Sequence, residues 1–84
     1  MVKPQAGHSE SETAVAALRE RWQMLGVHGQ RIGSVEACGI DLASGRIRYL
    51  ILATAWQTIS VPWERVRLDR DNRRFQLLPP PADE

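Results

Sequence analysis

Apolar residues along the chain fall into short alternating runs, punctuated by glycine, proline and polar residues. The sharpest run lies near the end, at residues 59–66, Ile-Ser-Val-Pro-Trp-Glu-Arg-Val. Val61 precedes a proline and is pushed towards an extended backbone. Pro62 has no N–H to give a ladder, so it stops the strand. Trp63 follows with the largest apolar side chain available to fill the corner so formed. Pro62 and Trp63 are therefore expected to make a structural corner, with Trp63 in the core.

The remaining elements are read from both ends towards this corner. Residues 1–11 are polar and predict a flexible tail. Ser9 and Glu12 have capping-box spacing, and Val15, Leu18, Trp22 and Leu25 follow at helical spacing, so a short helix is expected over residues 12–21. Residues 22–25 fit the end of that helix or the start of a strand equally well. Three glycines in residues 26–33 mark a turn. Residues 32–42 alternate as a strand, with Gly39 a candidate bulge. After a turn at Ala43, Ser44 and Gly45, residues 46–54 form the clearest strand. Ile47, Tyr49 and Ile51 are expected on one face, with Arg46, Arg48, Leu50 and Leu52 on the other. Residues 58–61, 65–69 and 73–78 read as three further strands, with a polar hairpin turn at residues 70–72. Pro79, Pro80 and Pro81 then make a stiff exit. The domain is expected to span residues 12–78, between the tail at 1–11 and a Pro-rich tail at 79–84.

Length changes this picture most. With 84 residues there is room for one small domain. A chain of this size buries only about 60% of its unfolded surface, so pairing with a second copy would add stability. The formal net charge is +1, but residues 29–78 hold eight arginines against five acids, a local net of +3. One cysteine, Cys38, rules out a disulfide within the chain and fits a reducing compartment. No stretch approaches the roughly 20 apolar residues of a membrane-spanning helix, and the N-terminus has no signal-peptide pattern. A soluble, cytoplasmic protein is expected.

Taken together, Gly29, Ile32, Gly33 and Val35, then Ile40 and Asp41, then Gly45, Arg46 and Ile47, then Val61, Pro62 and Trp63, and finally Val66 with a closing strand, resemble the PRC-barrel domain family. The resemblance covers roughly residues 24–78. It implies a small β-barrel of about six strands, similar to the cytoplasmic domain of the photosynthetic reaction-centre H subunit and to the C-terminal domain of a ribosome maturation factor. This chain lacks the H subunit's transmembrane helix. It also has a short helix-like segment where the ribosome factor has a preceding domain, so neither function transfers. Stand-alone members of the family look like binding modules, and the family offers no shared catalytic residues to carry over.

Candidate chemistry is sparse. His8, His28 and Cys38 match no zinc spacing, and a turn role suits His28 better. Cys38 has no base in view and reads as a small strand residue. Glu36, Asp41 and Glu64 are not grouped, and turn chemistry accounts for Asp41. The arginines are more telling. If their strands are neighbours, Arg46, Arg48, Arg65 and Arg67 form a basic outer stripe able to hold phosphates. Otherwise they are solvated charges balanced by Glu64, Asp69 and Asp71. Three tryptophans are many for so small a core. Trp22 and Trp56, with Leu18 and Leu25, are candidates for a protein interface.

These residues point to an all-β fold: a small, strongly bent antiparallel barrel of about six short strands with a short N-terminal helix. The expected function is non-enzymatic, an interaction module that docks a protein partner or forms a homodimer. No cofactor, metal or small-molecule substrate is expected. The alternative is an RNA- or ribosome-associated module that uses the arginine stripe.

Overall fold

The computed structural model describes residues 12–80. The tail expected at 1–11 and residues 81–84 of the Pro-rich tail lie outside the described residues. Six strands form one sheet: β1 Thr13–Leu25, β2 Arg31–Asp41, β3 Ile47–Ala53, β4 Thr58–Pro62, β5 Val66–Asp69 and β6 Arg74–Leu77. Their order across the sheet is β4-β3-β2-β1-β6-β5. The two outermost strands are consecutive in sequence, joined by a single 3-10 turn, Trp63–Arg65. That turn carries the chain across the opening and curls the sheet into a half-barrel.

The expected helix over residues 12–21 is not present; this segment is the first two-thirds of β1. Two periods compete here. Val15, Leu18, Trp22 and Leu25 fit a helix, but Ala16, Leu18, Trp22 and Met24 fit a strand, and these are the side chains that pack on the core. β1 forms an antiparallel ladder with β2 over residues 13–17 and again over 22–25. Backbone pairing on that scale outweighs a helix whose apolar stripe was narrow. The sheet is also not wholly antiparallel, because β1 runs parallel to β6 over Gln23, Met24 and Leu25.

The ladders are irregular at three places, one of them the step from Met24 to Leu25 opposite Gly33 and Arg31. Both ladders of β2 lose register at Glu36: β1 passes from Ala17 to Trp22, and β3 from Ile51 to Leu52, while β2 passes from Ala37 to Val35. Unpaired residues of this kind tighten the local twist. The third shift falls at Gly39/Ile40, opposite the step from Tyr49 to Ile47. Arg48 is the extra residue. Ile47 is thereby turned to the side of Leu50 and Leu52, which corrects the expected grouping of Ile47 with Tyr49 and Ile51.

Inside the curl, Met24, Val35, Leu50 and Leu52 are fully buried, with Cys38, Val61, Val66 and Phe75 around them. Burial of each large side chain contributes about 1.5–3 kcal/mol. The corner forms as expected: Pro62 ends β4 with an extended backbone, and Trp63 packs against this cluster at the barrel's mouth, half-buried rather than sealed within it.

Candidate functional site

The mouth of the half-barrel is an apolar groove of about 450 Å³, lined by Leu18, Trp22, Ile47, Trp63, Leu68 and Phe75, with Arg19 and Glu20 beside them. Each wall has a local cause. The alternation of β1 turns Leu18 and Trp22 inward. The β3 bulge turns Ile47 inward. The proline corner delivers Trp63, and the β5–β6 hairpin brings Leu68 opposite Phe75. Phe75 is the buried floor. Its ring lies 5.3 Å from that of Trp22 and meets that of Trp63 edge-on at 6.1 Å, separations at which aromatic pairs attract. Leu68 remains 42% exposed on the rim.

The groove thus gathers two of the four candidate interface residues, Leu18 and Trp22. Leu25 lies elsewhere, held between Arg31 of β2 and Gln76 of β6. Trp56 is also apart, at the tip of the turn between β3 and β4, where it is 90% exposed. That turn is tightly built. The Thr54 hydroxyl donates to the Gln57 carbonyl at 2.8 Å and accepts from the Trp56 and Gln57 N–H groups at 3.2 and 3.1 Å. Ile47, Leu68 and Phe75 were not singled out from the sequence as site residues. For Ile47 the signal is the bulge: Gly39 marked its place on β2, but the extra residue lies opposite, at Arg48 of β3, which the pattern of β3 does not show.

The four arginines do not share one stripe. β3 and β5 are not hydrogen-bonded neighbours. Arg46 and Arg48 flank an open depression with Thr13, Ser44 and Tyr49, where Asp41 and Glu64 supply opposite charge. The Arg48 guanidinium donates to the Thr13 hydroxyl at 3.4 Å. Arg67 is exposed on β5. Arg65, expected outside, is turned in: its guanidinium donates to the Leu78 carbonyl at 3.1 Å, and the Leu78 N–H donates to the Arg65 carbonyl at 2.7 Å. The cause is the 3-10 turn, which breaks the period of two on which the outward assignment rested. Its Nε is buried with no partner in the protein.

Charged groups sit mainly in turns. The Ser44 hydroxyl, at 2.7 Å, holds the Asp41 carboxyl below its ordinary range, helped by the Ser44 N–H and by Arg48. Asn72 does the same for Asp69, with Arg74 adding a bond at 3.2 Å. Burial pushes the Cys38 thiol up, away from the reactive thiolate. Among the described residues no group of three His, Cys, Asp or Glu side chains is placed to hold a metal ion. His8 lies outside them. No helix among them is long and apolar enough to cross a membrane.

No curated protein matches the sequence. The family comparison does: residues 25–83 match the PRC-barrel domain. The match spans most of the 84 residues and agrees with a six-stranded, curled, nearly all-β architecture, and the chain belongs to the PRC-barrel domain family.

Proposed function

We propose that the protein is a non-enzymatic interaction module that receives an apolar side chain of a protein partner in the groove at the mouth of the half-barrel. The observation that carries this is the aromatic set Trp22, Phe75 and Trp63, in which Phe75 is the buried floor and the half-buried Trp22 and Trp63 leave one side open to solvent. Aromatic pockets of this kind are where interface energy concentrates. The rim suits a protein surface, because Arg19 and Glu20 bring both signs of charge to an apolar cleft. A phosphate chain is less well served, because the arginines are divided between separate parts of the surface and Asp41 and Glu64 stand beside Arg46 and Arg48. A reducing, cytoplasmic setting suits the single buried thiol.

The test compares the parent with Leu68→Glu, which puts a carboxylate on the groove rim at an already exposed position. The parent should retain a protein from native extract at both low and moderate salt, and Leu68→Glu should lose it while melting within a few degrees of the parent. Apolar docking tolerates salt, whereas phosphate contacts weaken steeply with it. If instead the parent shifts a mixed RNA pool at low salt only, and Leu68→Glu shifts it equally, the RNA alternative replaces this function.

A further inference from the structure

Among the described residues, β1 has one edge that is covered only at its C-terminal end. β2 pairs with it over residues 13–17 and again over 22–25, but on the other side β6 meets only Gln23, Met24 and Leu25. Residues 13–22 therefore have no strand on that side among the described residues. The hydrogen-bond pattern shows which backbone groups are left over. The Leu42 N–H donates to the Glu12 carbonyl at 3.2 Å, one step beyond the Thr13–Asp41 position in the same register. In an antiparallel ladder, bonded positions alternate. Ala14 and Ala16 therefore point their N–H and C=O groups at β2, and Thr13, Val15 and Ala17 point theirs at the open edge. This stretch carries none of the usual edge protection. From Thr13 to Leu18 there is no charge and no proline, and Val15 is 60% exposed.

We propose that this edge pairs with the same edge of a second copy, antiparallel, about a twofold axis through Val15. The fit is internal to the sequence. With the axis there, Val15 meets the second copy's Val15, and Thr13 meets the second copy's Ala17. All three outward-facing residues on each copy then find partners, for about six new backbone hydrogen bonds. Every pair joins residues of the same parity, so the two sheets continue into one another without reversing faces. A two-fold contact of this kind is self-complementary and closes as a dimer.

This surface is separate from the groove, and one proline distinguishes it. Val15→Pro removes an N–H that faces the open edge and none that bonds to β2, and proline is tolerated on such an edge. Sedimentation of the full chain at micromolar concentration should give a dimer for the parent. Val15→Pro should give a folded monomer with a melting curve close to that of the parent protein diluted to its monomer. Ala16→Pro removes an N–H of the β1–β2 ladder, and it should lower the melting temperature by many degrees. Leu68→Glu should remain dimeric, so failure of the groove and failure of the edge are read apart. Val15→Cys in a Cys38→Ser background fixes the register: it should cross-link to a covalent dimer under mild oxidation, because facing Cα atoms about 5.5 Å apart are within disulfide reach. A monomeric parent overturns the proposal. So does a Val15→Pro protein that still dimerises, or a Val15→Cys protein that cross-links no faster than one carrying cysteine at Trp56.

Discussion

The ring of Tyr49 lies flat against the backbone of Gly39 across the β2–β3 ladder, in the space a side chain on Gly39 would occupy. A Cβ built on Gly39 would clash with the Cζ and Cε atoms of the ring. The pair sits one step from the register shift that turns Ile47 into the groove. An aromatic ring laid over a strand glycine restores the packing that the glycine lacks, and it pins the register at the bulge. Gly39→Ala is therefore expected to displace the ring and cost about 1–3 kcal/mol, in the range of core overpacking. Tyr49→Ala alone should also destabilise. The double variant Gly39→Ala/Tyr49→Ala should be more stable than the sum of the two losses predicts, because the clash is gone. Denaturant midpoints of the four proteins measure this coupling, and simple additivity would sink the relationship.

Acid stability follows from two turns. Asp41 and Asp69 both have carboxyls lowered from their ordinary value, chiefly by the Ser44 hydroxyl and the Asn72 amide respectively. A carboxyl lowered on folding contributes stability that is present above its unfolded pKa, near 3.9 for aspartate. That contribution is lost as pH falls through the lower, folded value. Between pH 5 and 7 the parent should therefore melt above Asp41→Asn and Asp69→Asn. The gap should narrow as pH drops below 4 and close once both carboxyls are protonated. Both groups are solvent-exposed, so the shifts are small in energy. Thermal melts at half-unit steps from pH 2.5 to 6 provide the check. A gap that stays constant with pH would mean that the asparagines act through turn geometry and not through charge.

Much of the fold was legible because most strands are short and bounded by strong punctuation. Gly45, Pro62 and the turn at residues 70–72 each set a boundary that the structure reproduces within a residue or so. The reading failed where the backbone departs from a fixed period. In β1, Leu18 and Trp22 satisfy both 3.6-residue and two-residue spacing, and only the ladder with β2 decides between them. In β3, Arg48 is an extra residue, so parity counted along the sequence puts Ile47 on the wrong face. The groove depends on both irregularities. Trp22 and Leu18 were visible as interface candidates, but Ile47, Phe75 and Leu68 join them only through pairings between distant segments.

Arg65 and Arg67 are two residues apart and look equivalent in sequence, but they occupy opposite situations. The 3-10 turn brings the Arg65 guanidinium onto the Leu78 carbonyl while its backbone carbonyl accepts from the Leu78 N–H, so one residue ties the corner to the end of β6 twice. Arg67 is solvent-exposed on β5. A hydrogen bond from a charged group contributes about 1.5–3 kcal/mol, and the buried, unpaired Nε offsets part of that. Arg67→Gln, Arg46→Gln and Arg48→Gln remove groups at exposed positions, where each is worth about 0–1 kcal/mol at most. The triple variant at Arg46, Arg48 and Arg67 should therefore melt close to the parent, and adding Arg65→Gln should lower the melting temperature by about 4 °C or more. Arg65→Met should fall less than Arg65→Ala, because it keeps the apolar stem that packs the corner and removes the unpaired Nε without leaving a hole. If the triple variant loses as much as the quadruple, the clamp on Leu78 contributes nothing that the exposed arginines do not.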